Sequence, residues 1–398
     1  MWLSDFTLVL PEVVVPHGSV RLEGAAIAEI VEHPVPGGVE GAGHTLFPGF
    51  IDMHGDMIEQ ELEPRVRVNF PMNVALNALD ARLASAGVTT AYASVSFSRG
   101  ARDGERRSFA HTSRVIRELH DARNNARVEH RVHARFDITF DNAVEVLRDL
   151  LDEGRVDLVS LMDHTPGQGQ YRNLEIHIKN KAAHHGISET EARQMVSNAI
   201  AIRSRPQEVL LGNMHEVANM CRDHGVPLAS HDDDTTDKAN LMADLGAVIA
   251  EFPVTLEAAE VAIERGLMTA MGAPNAMRGE SYSGNLSART AHQHGLLSIL
   301  AADYHQAAIL PAIRVLAAAD GDGLAGATRL ATSNPARALG LTDRGEIAPG
   351  KQADLVIVDP DDRIVMTLRA GDVIYSDGTV ALYPQETAAA VRELSQTG

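Results

Sequence analysis

Cysteine is almost absent. The 398 residues contain a single one, Cys221. That excludes an intramolecular disulfide and a thiolate metal cluster, and it suits a reducing compartment, the cytoplasm. Aromatic residues make up 4% of the chain and tryptophan occurs once. No run approaches the roughly 18 apolar residues of a membrane-spanning helix, so no membrane partner is expected. The first residues, MWLSDFTLVLPEVVVPHG, lack a basic stretch ahead of their apolar part and carry Asp5 and Glu12. They read as folded structure and not as a secretion signal. Positive charge is also scarce. Against 54 Asp and Glu stand 35 Lys and Arg, a formal charge of −19, which argues against non-specific nucleic-acid binding. An anionic small molecule stays admissible, because a bound cation or a local arginine cluster overrides the global field. Internal repeats and low-complexity segments are lacking too.

What is present is a composition of 44% hydrophobic and 22% charged residues, that of a folded globular chain, with length for one large domain and a smaller one. Up to about Gly43 the sequence offers short β-like runs, FTLVL, EVVV, SVRLE and AIAEIVE, separated by Gly and Pro. The style returns in ADLVIVDPDDRIVMTLRAGDVIYSDG, Ala353 to Gly378, so both termini are expected to build one small β domain. Between them, strand-like runs alternate with helical patterns. FIDMHGD, VTTAYASV, HRVHARFDIT, DLVSLMDH, VPLASHD, AVIAEFPV, LMTAMGAP and LSILAADY make eight strands. Patterns such as NVALNALDARLASAG, DNAVEVLRDLLDEG and TLEAAEVAIERG close on a Gly, a common helix stop. Alternation of this kind means parallel βαβ units, and eight of them over roughly 290 residues fit a (β/α)8 barrel. The expected organisation is α/β: the N-terminal half of the β domain over 1–47, the barrel over 48–340 and the C-terminal half of the β domain over 341–398. An insertion from Thr165 to about Gly212 is partly helical and could serve as a lid.

In such barrels the chemistry sits at the C-terminal ends of the strands. There the sequence repeatedly puts His or Asp: His54 and Asp56, Asp137, Asp163 and His164, His231 and Asp232, and Asp303. Taken singly, each is explained by capping the next helix. Five of eight strands ending in ligand-type residues points to a divalent metal, since imidazole and carboxylate suit zinc, iron or manganese and a carboxylate can bridge two ions. GAPNAMRGESYSGN, Gly272 to Asn285, could present backbone N–H groups and Arg278 to phosphate; an empty polar loop explains it equally well. Arg65 and Arg67 of EPRVRVNFP and Arg172 of HTPGQGQYRN are further anion candidates, with surface ion pairs as the alternative. His111, His120, His130, His177, His184 and His185 read as surface residues. His133 shares a strand face with Asp137, which leaves it either packed in the core or supporting the site.

These segments together resemble a known group. PGFIDMHGD is similar to the first-strand signature of the amidohydrolase superfamily, usually written with two His. NPARALGL and GEIAPGKQADLVIVD, within Asn334 to Asp359, resemble its C-terminal signature. MDHTPGQGQYR, ASHDDDT, AEFPVTLEAA, MGAPNAMRGESYSGN and ADY, in that order, together with PRVRVNFP, resemble a narrower group within it, diphosphatases of phosphonate breakdown acting on a ribosyl triphosphate. Departures are HGD where many members read HTD, Asp137 where relatives carry Glu, and His305-Gln306 after Asp303-Tyr304. The resemblance implies an amidohydrolase-type TIM barrel with a small β-sandwich domain formed by both termini. It implies a centre of two divalent ions, zinc with manganese or iron as alternatives, on His54, Asp56, Asp137 as the bridging carboxylate, His164, His231 and Asp303. Asp303 would be the proton acceptor. Arg65, Arg172, Asn275, Arg278, Ser281, Ser283 and Asn285 would hold a phosphorylated sugar, with Asp232, Glu251 and His305 in support. A homo-oligomer is compatible with all of this. Two other readings stay open: hydrolysis of a C–N bond on the same centre, as by a deaminase, cyclic amidase or deacetylase, and a barrel kept as an inactive scaffold.

Overall fold

The computed structural model describes residues 1–65, 68–97, 109–140, 143–279 and 284–382. Five strands open the chain: β1 (Trp2–Val9), β2 (Val14–Glu23), β3 (Ala26–Val31), β4 (Val39–Glu40) and β5 (Thr45–Pro48). Three close it: β14 (Leu355–Val358), β15 (Ile364–Arg369) and β16 (Asp372–Ser376). Together they form one sheet in the order β16-β15-β14-β5-β1-β2-β3, with β4 alongside β1. Most neighbours are antiparallel; β1 runs parallel to β4 and β5. The two ends of the chain meet at β14 and β5, where Val356 pairs with Phe47 and Ile357 with Leu46. Leu3, Phe6, Leu46, Leu355, Ile357 and Leu368 are buried in this sheet's own core. Its central strands are the most buried, with β14 covered at all four positions, while β16 at the edge has no buried residue.

The eight strands expected in the middle all form: β6 (Phe50–Gly55), β7 (Val88–Phe97), β8 (Glu129–Asp137), β9 (Leu158–Met162), β10 (Leu228–His231), β11 (Ile249–Glu251), β12 (Met268–Gly272) and β13 (Ile299–Ala301). They lie side by side in sequence order, every pair parallel. The last returns to the first. Asp303 N–H donates to His54 O at 2.8 Å, Asp56 N–H donates to Asp303 O at 2.8 Å, and Ala302 N–H donates to the buried Asp52 carboxylate at 2.9 Å. That is a nearly closed barrel, and closure removes the exposed edges an open sheet would leave.

Helices cover the outside. The segments 72–85, 144–152 and 256–264 form as the sequence indicates. Leu76, Leu79 and Leu83 of the first, and Leu147, Leu150 and Leu151 of the second, turn inwards at helical spacing. The insertion after β9 becomes helices Leu174–His185, Glu189–Arg203 and Gln207–His224. Its second helix starts on a capping box made by Ser188 and Glu191. Ile178, Ala182, Ala192 and Val196 give the first two a small core of their own. Among the described residues, no helix is long and apolar enough to cross a membrane.

Inside the barrel the filling changes along the strands. Ile51, Met53, Leu158, Ala229, Ile249, Ala270 and Ile299 form an apolar cluster joined by Leu339 and Leu341. Towards the strand ends the same interior becomes polar, with Ser94, His133, Ser160, His231 and Glu251 buried to 3% exposure or less. That change in filling creates the site.

Candidate metal centre

Four imidazoles gather at the C-terminal mouth. The ring centroids of His54 and His133 lie 5.1 Å apart, those of His54 and His231 5.6 Å, and those of His164 and His231 5.4 Å. Phe252 stands edge-on to His54 at 4.9 Å and leans on His231 at 5.4 Å. Glu251, fully buried at the end of β11, reaches His54 Nδ1 at 3.2 Å and His133 Nε2 at 3.7 Å. His133 is held by Ser94 Oγ at 3.2 Å and Ser160 Oγ at 2.8 Å. Asp232 Oδ2 lies 3.2 Å from His231 Nδ1 and 3.4 Å from His164 Nε2.

His54 and Asp56 do aim at one point, with His54 Nε2 3.5 Å from Asp56 Oδ1. Simple strand alternation does not produce this. The pairing of β6 with β7 is irregular between Asp52 and Gly55, and Asp56 lies beyond the strand, tied by its N–H to Asp303 O. Arg135, two residues before Asp137 on the same face of β8, enters the same space. Its Nη1 donates to both Asp56 oxygens, at 2.7 and 2.9 Å, and its Nη2 lies 3.2 Å from His231 Nε2.

Three rim residues without the freedom of glycine adopt left-handed backbone: Asp232 (φ 55°), Phe252 (φ 52°) and Asp303 (φ 57°). Such conformations cost of order 1–3 kcal/mol each and persist where the surroundings impose them. At Asp232 the imposing group is Lys238, whose Nζ donates to the carbonyls of His231 at 2.8 Å and Asp232 at 3.2 Å. The strain turns each of these side chains at the end of its strand.

Burial and neighbours set the charges. Burial disfavours the charged forms of His133 and His231 and takes both down to about 3, so each is a neutral imidazole, the form that ligates metals. Burial, and then the charge of Asp56, pushes the Asp303 carboxyl up to about 6. Burial also opposes charge on Asp56, but the Arg135 guanidinium outweighs it and holds that carboxyl well below the usual range.

Two triads of donor atoms, His54–His133–Glu251 and His164–His231–Asp232, each lie within 4.8 Å of one another. Glu251 Oε2 is buried without a hydrogen-bond partner, and Asp232 Oδ2 and His231 Nδ1 face each other at 3.2 Å outside hydrogen-bond geometry, although buried polar atoms nearly always have a partner. Unpartnered imidazole and carboxylate atoms converging at bonding range fit a divalent cation.

A cavity of about 430 Å3 opens above these groups. His54, Asp56, His231, Asp232 and Asp303 line its floor, and Asn275, Arg278 and Asn285 line its wall with Gln170. The Asn275 carbonyl oxygen accepts from Ala288 N–H at 2.8 Å, which fixes the short helix Ala273–Arg278 that carries both Asn275 and Arg278. The remaining residues singled out in the sequence are placed as follows. Asp137 is fully buried; one oxygen accepts from Thr139 Oγ1 at 2.6 Å, the other lies 3.5 Å from Arg203, and neither lines the cavity. Arg172 lines an adjoining outer groove. Arg65 and His305 are exposed away from the lining. Arg67, Ser281 and Ser283 lie outside the described residues. Asp163 caps its own turn through Thr165 N–H at 2.9 Å.

Arg135 escaped the sequence reading, although the signal was there. It has the same parity as His133 and Asp137 in HRVHARFD, so all three face one side of the strand. His130 is a correction. It is not a surface residue but is 1% exposed, because Asp80 from the neighbouring helix reaches it at 3.0 Å.

The model of the amidohydrolase family matches residues 45–381. The chain is 35% identical over 363 residues to the alpha-D-ribose 1-methylphosphonate 5-triphosphate diphosphatase of Escherichia coli (strain K12), covering 90% of this chain and 94% of that protein. Among solved structures, N-acetyl-D-glucosamine-6-phosphate deacetylase from Mycobacterium smegmatis superposes with a TM-score of 0.62 at 16% identity, over 94% of this chain and 100% of that one. Beta-aspartyl dipeptidase from Fervidobacterium islandicum AW-1 does so with a TM-score of 0.59 at 16% identity, over 96% and 99%. These two likenesses concern the fold alone. With the family model spanning both the barrel and the strands that return to the terminal sheet, the chain belongs to the amidohydrolase family.

Proposed function

We propose that this chain is a metal-dependent hydrolase of phosphonate breakdown that releases pyrophosphate from ribose 1-methylphosphonate 5-triphosphate. The observation that carries the reading is the 35% identity, over 90% of the chain, to the Escherichia coli diphosphatase. The cavity supports it: carboxylates and imidazoles make its floor, while Arg278, Asn275 and Asn285 offer donors for phosphate oxygens on its wall. Water adds to the phosphorus nearest the sugar, and the bond from that phosphorus to the bridging oxygen breaks. Pyrophosphate leaves with that oxygen, and ribose 1-methylphosphonate 5-phosphate remains.

Asp303 accepts the proton of the water and passes it on; a carboxyl at about 6 is close to neutral working pH, where a general base is most effective. The ion proposed is zinc, with manganese or iron as alternatives, and when bound it supplies Lewis-acid polarisation and an acidified water. Ligand roles for His54, Asp56, Asp137, His164, His231 and Asp303 belong to this proposal, with Glu251, His133 and Asp232 added from their geometry. Arg278 holds the phosphates, and Arg172 meets any portion of the substrate that extends into the outer groove. Arg65 serves only a substrate that reaches beyond the lining. The accompanying organisation is a catalytic barrel over 48–340 and a β domain from 1–47 and 341–398, acting in the cytoplasm. Cleavage of a C–N bond has no observation of its own in its favour.

Phosphorus NMR of the zinc- or manganese-loaded protein with ribose 1-methylphosphonate 5-triphosphate tests the reading. Pyrophosphate appearing with the 5-phosphate is the expected result. A folded, metal-replete protein that leaves the triphosphate intact refutes it.

A further inference from the structure

Arg135 puts a positive charge where a cation-binding cavity has least reason to hold one. Its contacts are with Asp56, through both carboxylate oxygens at 2.7 and 2.9 Å, and with His231 Nε2 at 3.2 Å. Arginine stays protonated in proteins and can only donate. The lone pairs it meets on Asp56 and His231 are the ones a metal ion would need from the same atoms. An ion lodged between these two side chains would also face a fixed unit charge in a place with little water to screen it. Nor does Arg135 reach in from solvent. It is 7% exposed and grows from the wall strand that also carries His133. Donors not hydrogen-bonded to the guanidinium remain on either side: His54, His133 and Glu251 in one triad, His164 and Asp232 in the other.

We propose that Arg135 supplies the second positive charge of this centre, so that each chain takes up a single divalent ion and not the pair expected from the sequence. The two charges then differ in what they can do. A bound ion would supply an acidified water. The guanidinium cannot give up a proton; it neutralises an anionic oxygen in the cavity and fixes Asp56 in place. This inference rests on reading the centre as the cation site of a metal-dependent hydrolase.

The test is a count of ions, independent of turnover. The full chain is loaded with excess zinc, freed of loose metal by gel filtration, and assayed for zinc by mass spectrometry against protein concentration. A single zinc per wild-type chain is expected. In Arg135→Met, which releases Asp56 and His231, a second zinc should appear, whereas Arg135→Lys, which keeps a charge, should stay at one. Two zinc ions in the wild type overturn the proposal, and so does a folded Arg135→Met variant that still holds one. If that variant does not fold, the wild-type count and the lysine variant decide. A wild type that retains no zinc, and no manganese or iron when loaded with each in parallel, refutes the metal-dependent reading as well, whereas a count of two leaves that reading standing.

Discussion

Strand β8 carries one buried histidine at its start and another at its midpoint, and their surroundings are built differently. At its start, His130 Nε2 meets Asp80 Oδ1 at 3.0 Å, and the two oxygens of Asp80 also accept from Val128 N–H and Arg127 N–H, each at 2.9 Å. Both carboxylate oxygens are satisfied. Further along, His133 faces Glu251, whose Oε2 has no partner, and Arg135 contributes a buried Nε with none. In the first arrangement the carboxylate is fully engaged, although His130 Nδ1 is left without a partner, and it ties a helix to the barrel. The second is complete only with something added. Burying unsatisfied polar atoms costs about 1–3 kcal/mol each, so a fold that keeps several together has a use for them. The backbone differs as well: Asp232, Phe252 and Asp303 are strained at the mouth, whereas beside His130 the positive φ among the described non-glycine residues is that of Ala370, from the terminal sheet.

The largest expected effect lies at the open end. Asp303→Asn should lower kcat for pyrophosphate release by about 10²–10⁴-fold, the usual contribution of a general base, while zinc content stays at the wild-type value. Full activity in that variant removes Asp303 from the mechanism. The closed end should respond in stability instead. Asp80→Ala strands His130 and two backbone N–H groups and should cost about 3 kcal/mol in urea unfolding, with kcat of the folded protein unchanged. Glu251→Gln is the counterpart: it should cut zinc retention, and its cost to the metal-free protein should stay below that of Asp80→Ala, because Gln keeps an oxygen within reach of His54 Nδ1 and replaces a carboxylate whose other oxygen is unpartnered. Equal stability losses in the two variants would erase the comparison.

Acid sharpens it further. Burial works against the charge of Asp80, but the hydrogen bonds from His130, Val128 and Arg127 outweigh it and lower its carboxyl below the ordinary value. A carboxylate depressed in the folded state stabilises the fold above its unfolded pKa, about 4, and that contribution is lost as pH falls through the folded value. Asp80→Asn should therefore flatten the acid limb of the stability curve below about pH 4, measured as Tm against pH; an unchanged limb contradicts the assignment. The smallest effect is on binding. Arg278→Ala should raise KM by about tenfold, roughly 1.4 kcal/mol, whereas Arg65→Ala, outside the cavity lining, should leave KM within error.

Much of the fold was legible because its signals are local. Each barrel strand is a short apolar run closed by turn residues, and the alternation with helical patterns allows few arrangements other than a parallel barrel. The position of His54 and of His231 at strand ends follows from the same runs. Glu251 was harder to weigh, because a carboxylate after AVIA reads as an ordinary helix-capping group until its two histidines are seen. Asp137 was the reverse: a strand-end carboxylate by pattern, held in the fold by Thr139 through one oxygen and turned with the other, which has no hydrogen-bond partner, towards Arg203 and away from the cavity lining.

The sequence by itself determined the eight-strand order, the small sheet shared by both termini and the end of the barrel at which polar groups gather, since these follow from periodicity and turn chemistry within short windows. Only the tertiary structure decided which of those groups meet. Arg135 and Asp56 are 79 positions apart and His54 and Glu251 197 apart. No local preference encodes such pairings. Barrel closure brings these side chains together, and burial then determines which of them are left without a partner.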